Sequence, residues 1–152
     1  MRTAREVKED QAIYNAISIL ERRVKMPESY ISAPADIVNL LRLRFADKTE
    51  EVFTAIFLDA RHGVIAIEDM FFGNKTGAAV YVGNIVKRAL MLNACAMVIS
   101  HNHPSGIATP SSADRELTER VRQALALVEI RLLDHVVVGA METCSFSERG
   151  WL

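Results

Sequence analysis

Cys95-Ala96-Met97-Val98-Ile99-Ser100-His101-Asn102-His103-Pro104-Ser105-Gly106 passes from an apolar run into a polar turn, and its reading decides the fold. Cys95 to Ser100 has the length and apolar character of a short strand, and Pro-Ser-Gly marks the turn that follows it. Downstream, Ser112 to Val128 repeats its apolar residues at helical spacing, and Leu132 to Val138 is a second apolar strand. Upstream, Val52 to Leu58 is β-branched and aromatic, Asp59 to Gly63 is a turn, and Val64 to Phe72 is the hairpin partner. After a glycine-containing loop (Gly73 to Gly77), Ile85 to Leu92 reads as a helix with Lys87 and Arg88 on its wet side. Strands alternating with helices predict a mixed α/β (α+β) domain, a central mixed sheet flanked by helices.

The chain before this core is helical. Thr3 and Glu6 have capping-box spacing, Ile13, Ile17 and Leu20 recur at helical intervals, and Pro27 ends the segment. A second helix is expected from Pro34 to Phe45, capped near Ser32 or Ala33, with Ile37, Val38, Leu40 and Leu41 as its apolar stripe. The expected division is therefore an N-terminal helical arm over residues 1–28, an appendage or a dimerising element, and one domain over residues 29–152.

With 152 residues a single domain is the default, and at that size about 68–70% of the unfolded surface is buried without staples. Eighteen Lys and Arg against nineteen Asp and Glu leave a net charge of −1, which disfavours a strongly basic nucleic-acid binder. The residues are 50% hydrophobic and 24% charged, a globular composition. Mean hydropathy is +0.12, and the greasiest stretch, Ala89 to Ile99, is interrupted by Asn93. No membrane span is expected, because one needs about 20 apolar residues. Met1 to Glu6 leads into no apolar segment, so no secretory signal is expected and the location is cytoplasmic. Cys95 and Cys144 form neither a disulfide framework nor a metal knuckle.

The chemistry concentrates where the apolar strand ends. Side chains alternate along a strand, so His101 and His103 point the same way, with Cα atoms about 6.6 Å apart. Two imidazoles so placed can converge on one ion at Zn–N distances of about 2.0–2.1 Å. Asp114 is the nearest carboxylate able to be a third ligand, on the first turn of the helix after the Pro104–Pro110 loop. Two His, one Asp and a water would complete the open tetrahedron of a hydrolytic zinc. Ser111-x-x-Asp114 is equally a helix N-cap signature, and the two roles are compatible.

His101-x-His103, seven residues, then Ser111-x-x-Asp114 resembles the JAMM signature of the MPN/JAB metallopeptidase-like fold. His-Asn-His-Pro-Ser-Gly with Thr109-Pro110-Ser111, Lys87-Arg88-Ala89-Leu90 and Leu133-Asp134-His135-Val136-Val137-Val138-Gly139 resembles, more narrowly, the bacterial RadC family over roughly residues 30–150. The resemblance implies a cytidine-deaminase-like layered domain with one zinc per chain, bound by His101, His103 and Asp114. It also implies an oxyanion role for Ser111, and a glutamate base that takes a proton from the attacking water. Glu51, just before the Phe53-containing strand, fits that base, with Glu50 and Glu68 as rivals. The implied activity is cleavage of an amide bond in a peptide or protein, within a family whose name suggests DNA repair. A non-catalytic interaction module and a DNA-associated protein of a mobile element are the alternative functions. RadC proteins commonly carry an N-terminal helix-hairpin-helix module, whereas the first 30 residues here offer one helix and no Gly-hairpin, as in the short single-domain form. Asn74-Lys75-Thr76-Gly77 and Val82-Gly83-Asn84 also depart from the family text, at positions bearing on substrate contacts.

Other residues have plainer readings. His62 is a solvated turn histidine, His135 a core or sheet-edge histidine, and Cys95 a small buried hydrophobe. Arg115, Arg120 and Arg122 interleave with Glu116 and Glu119, as on a wet helix face and unlike a phosphate-binding stripe. Trp151 either packs back on the domain or enters a dimer contact. A homodimer through such contacts is the partner expectation besides the substrate.

Overall fold

The run that ends in Ser100-His101-Asn102 is the central strand of a five-stranded sheet in this computed structural model, which describes residues 2–25, 34–73 and 79–152. In chain order the elements are α1 (Ala4–Lys25), α2 (Pro34–Phe45), β1 (Val52–Leu58), β2 (Val64–Phe72), α3 (Val82–Met91), β3 (Ala96–Asn102), α4 (Ser112–Leu127), β4 (Arg131–Val138) and β5 (Thr143–Ser145). The strand order is β2-β1-β3-β4-β5. β1 pairs antiparallel with β2 and β3, β3 runs parallel to β4 through the α4 crossover, and β5 returns antiparallel on β4. The sheet is mixed, as expected.

Every residue of β1 and of β3 is buried, because both strands are inside the sheet and both faces are covered. On one face Phe53, Ala55, Phe57, Met97 and Ile99 pack with Ile85 and Ala89 of α3 and Val121 and Leu125 of α4. On the other, Val52, Ile56, Leu58, Ala96 and Val98 pack with Ile37, Leu41 and Phe45 of α2. The period of two thus assigns odd-numbered β3 residues to the α3/α4 layer and even-numbered ones to the α2 layer. α1 lies on α2, where Glu21 pairs with Arg44 at 2.6 Å. Thr3 and Glu6 form the expected capping box, their side chains accepting from each other's backbone N–H. Among the described residues no helix is long and apolar enough to cross a membrane.

The structure corrects several boundaries. β3 begins at Ala96 and continues through His101 and Asn102, because β1 and β4 flank the polar residues with continuous ladders: His101 lies opposite Phe53 and Val137. Cys95 is exposed, not buried: it precedes the strand, its backbone pairing with Leu58 and Arg131 while the side chain turns outward. α3 starts at Val82, earlier than expected, since Tyr81 at its N-cap makes no side-chain cap bond and so leaves no sequence signal. α4 ends at Leu127, and Glu129 at φ 60° turns the chain into β4. β5 was not anticipated, being three residues long with no alternating pattern to reveal it. Arg88 is partly buried, with Nε and Nη2 on the Glu68 carboxylate. Trp151 packs back, edge-on to Phe146 and under the Arg115 guanidinium. The Pro27 stop, the Ser32 or Ala33 cap and the loop after Gly73 lie outside the described residues.

Gly139, directly after β4, is fixed by a close approach. A Cβ there would overlap the Gly106 carbonyl oxygen and sit 2.9 Å from the Ala108 nitrogen, while Gly83 in α3 faces open space. Gly139→Ala should therefore cost about 1–3 kcal/mol and several degrees of Tm. Gly83→Ala should instead stabilise by about 0.5–1 kcal/mol through helix propensity. Thermal unfolding of the two variants checks this, and equal shifts would contradict the assigned contacts.

Candidate metal centre

β3 delivers His101 to the α3/α4 side of the sheet, and His103 follows just beyond the strand end, on the same side. The chain there is tied to β4 by His103 N–H to Val138 O at 2.9 Å, then turns at Gly106. α4 is capped by Ser111, whose Oγ accepts from Asp114 N–H, while the Asp114 carboxylate accepts from Ser111 N–H at 2.7 Å. That reciprocal cap fixes the first turn of α4 and aims Asp114 back at the strand end. Capping and convergence on the histidines are thus done by one carboxylate, the compatibility expected from sequence.

The result is a tight triad. His101 Nε2 and His103 Nε2 are 3.0 Å apart, Asp114 Oδ1 is 3.3 Å from the first and Oδ2 3.3 Å from the second. These donors form a group that could hold a metal ion. His101 is fully enclosed at 1% exposure, whereas His103 and Asp114 are partly open to solvent.

The donor chemistry fits a cation. His103 Nδ1 lies 2.8 Å from the Ile107 carbonyl, which can only accept, so the ring hydrogen sits on Nδ1 and the Nε2 lone pair faces the triad. A lone pair and a carboxylate oxygen at this range repel unless positive charge stands between them, either a proton or a metal ion. The Asp114 carboxylate raises the His103 imidazole above its ordinary value, with burial opposing. For Asp114 burial disfavours the charge, yet the facing His101 and His103 rings, whenever they are protonated, donate to it and hold the carboxyl well below the usual carboxylate range.

Glu51 precedes β1, and continuing the Phe53–His101 register places it opposite His103. Its charge contributes to the rise at His103. Asn102 holds the chain on both sides of Glu51: its Oδ1 accepts from Val52 N–H at 2.7 Å and its Nδ2 donates to Glu50 O at 3.0 Å. Gly73 N–H donates to Glu51 O, a third restraint on the same short segment. Of the rivals, Glu68 lies opposite Ala55 and is engaged by Arg88, and Glu50 is exposed. Ser111 is exposed at the rim beside Asp114.

Sequence reasoning did not anticipate Asn102. Its signal was a third polar residue in succession at the end of an apolar strand, one that alternation sends to the face opposite the histidines. His135 is fully buried, as expected of a core histidine, but it also meets His101: its Nε2 is 2.8 Å from His101 Nδ1. Burial pushes its imidazole well below the ordinary value.

A mixed sheet with His-x-His at the end of its central strand and a capping aspartate on the next helix defines a JAB-type domain. The chain belongs to the RadC-like JAB domain family, whose profile matches residues 31–151. It is 53% identical over 120 residues to a UPF0758 protein of Nitrosomonas eutropha, covering 79% of this chain and 54% of that one. It is 46% identical over 145 residues to a UPF0758 protein of Burkholderia ambifaria (93% and 56% covered) and 51% over 130 residues to one of Burkholderia vietnamiensis (86% and 49%). The chain thus spans about half the length of the curated relatives it matches.

Because a proton on His103 and a metal ion compete for one lone pair, zinc affinity should fall on acidification. Below the raised His103 value the loss should approach about tenfold per pH unit, levelling off above it, while Asp114 stays ionised throughout. Calorimetric titration in buffers of different ionisation enthalpy reads the released proton. His103→Ala should weaken zinc by more than the about 10–100-fold typical of losing a supporting partner. Affinity independent of both pH and His103 would contradict the site.

Proposed function

We propose that this chain is a zinc-dependent hydrolase that cleaves an amide or isopeptide bond, one zinc being held by His101, His103 and Asp114. The observation that carries the reading is the convergence of two imidazole Nε2 atoms, 3.0 Å apart, each 3.3 Å from one oxygen of the Asp114 carboxylate, with Glu51 opposite His103 in the strand register. The JAB/MPN family, known for metal-dependent hydrolases, supports it. Zinc bound there would acidify a water and polarise the scissile carbonyl.

The remaining work falls to the chain. Glu51, restrained by Asn102 and Gly73, accepts the proton of the attacking water and returns it to the departing nitrogen. The Ser111 hydroxyl accepts the Asp114 N–H with its oxygen lone pair, so its own hydrogen remains available for the developing oxyanion. His101, His103 and Asp114 hold their positions through the β3–β4 ladder and the α4 cap, so little reorganisation is required.

A peptide or protein substrate suits this arrangement better than nucleic acid. Arg115 is stacked on Trp151 and Arg122 is paired with Glu119, which leaves exposed Arg120 as a single charge among Glu116 and Glu119 and not a phosphate-binding stripe. The same reading takes residues 1–28 as a helical appendage or dimerising arm ahead of the 29–152 domain, and the protein as cytoplasmic.

The test is hydrolysis of a panel of synthetic peptides and isopeptides by zinc-loaded protein. Glu51→Gln should retain zinc and lower kcat by about 10²–10⁴-fold, and Ser111→Ala should lower it by about 10²–10³-fold. Turnover that survives Glu51→Gln would contradict the assigned base, and zinc-loaded protein inert on the whole panel would favour a binding module.

A further inference from the structure

The interior behind His101 carries a chain of hydrogen bonds with only one consistent arrangement of hydrogens. Thr118 Oγ1 is 2.6 Å from the backbone carbonyl of Asp114, one turn back on α4. A carbonyl only accepts, so the single hydroxyl hydrogen of Thr118 is committed there. The same Thr118 oxygen is 2.6 Å from His135 Nδ1, and the hydrogen in that bond must come from the ring. His135 is at 0% exposure, stacked on Phe146 and edge-on to Phe53, a setting in which an uncompensated imidazolium is costly. With its hydrogen on Nδ1, its Nε2 is a bare acceptor 2.8 Å from His101 Nδ1. His101 must therefore supply that hydrogen, and its own Nε2 is left as a bare lone pair 3.0 Å from that of His103.

We infer that His135 and Thr118 are positioning residues that lock His101 in its Nδ1–H form and so set the metal affinity of the site. The inference rests on the reading of His101, His103 and Asp114 as a metal centre and extends it inward. Asp114 stands at both ends of the chain: its carbonyl terminates the relay through Thr118, and its carboxylate faces His101 Nε2. The relay and the ligand set together close a ring that binds α4 to β3 through β4. Metal-ligating histidines generally donate their second ring hydrogen to a carboxylate, carbonyl or water, and losing that partner costs about 10–100-fold in affinity. Here the partner is another histidine, whose two ring nitrogens are taken by His101 Nδ1 and Thr118 Oγ1 and so are not turned to the ion.

Two measurements test it. In metal-free wild-type protein at mildly alkaline pH, ¹⁵N NMR of the imidazoles should show both His101 and His135 protonated on Nδ1. A hydrogen on His101 Nε2 would overturn the inference. In chelator competition with zinc alone, His135→Phe, which keeps the ring stack, should bind zinc about 10–100-fold more weakly than wild type. His135→Gln, whose amide offers an acceptor to His101 and a donor to Thr118, should recover most of that loss. Thr118→Val, which removes the acceptor for His135 Nδ1–H and leaves the other ring partners in place, should also weaken binding. Variants that fold, by thermal unfolding, and bind zinc as tightly as wild type would overturn the relay while leaving the metal centre standing. Wild-type protein that binds no zinc would overturn the metal centre itself.

Discussion

Three successive polar side chains, Ser100, His101 and Asn102, are buried at the end of the central strand, and the rest of the structure answers the need to satisfy them. Such groups cost several kcal/mol each when left unpaired in a low-dielectric interior. Ser100 donates to Val136 O across the parallel β3–β4 pair. Asn102, facing the α2 layer, takes up the backbone around Glu51. His101, facing the α3/α4 layer, finds His135 on one nitrogen and the triad on the other. At a sheet edge the same polar run would be solvated and would fix nothing. In a central strand flanked on both sides, each member instead fixes one part of the site.

This division by face explains the arrangement of the chemistry. The even-numbered residue secures the segment that carries the candidate base, and the odd-numbered residues present the imidazoles, so one turn of strand pleat serves both tasks. α4 completes the site because its N-cap lies where the parallel crossover leaves β3, so its first turn is delivered to the strand end by topology. Gly139 and Gly106 meet closely where β4 ends, which lets the His103–Ala108 turn lie against the strand end.

Much of this was legible in the sequence. α2, β1 and β2 occupy the residues that apolar patterning indicates, because their hydrophobic runs are bounded by clear turn or proline signals. The triad was legible for a different reason: His-x-His and Ser-x-x-Asp are local spacings that a strand and a capped helix convert directly into geometry. What escaped depended on tertiary neighbours. The extension of β3 through Asn102 is set by ladders on two other strands, and β5 exists only because β4 is there to pair with it. Cys95 looked buried because it borders an apolar run, and its exposure follows from where the ladder begins. His135 was legible as a core histidine, but its bond to His101 joins residues 34 apart in sequence, and no spacing rule reports such a contact.

The central claim is that His101, His103 and Asp114 form a metal centre, and the most direct measurement is X-ray absorption at the zinc edge of protein carrying one equivalent of zinc. The account predicts two imidazole nitrogens with oxygen donors, all at about 2.0–2.2 Å, and no sulfur. A sulfur shell at about 2.3 Å, which exposed Cys95 would supply, or a shell without imidazole would contradict it.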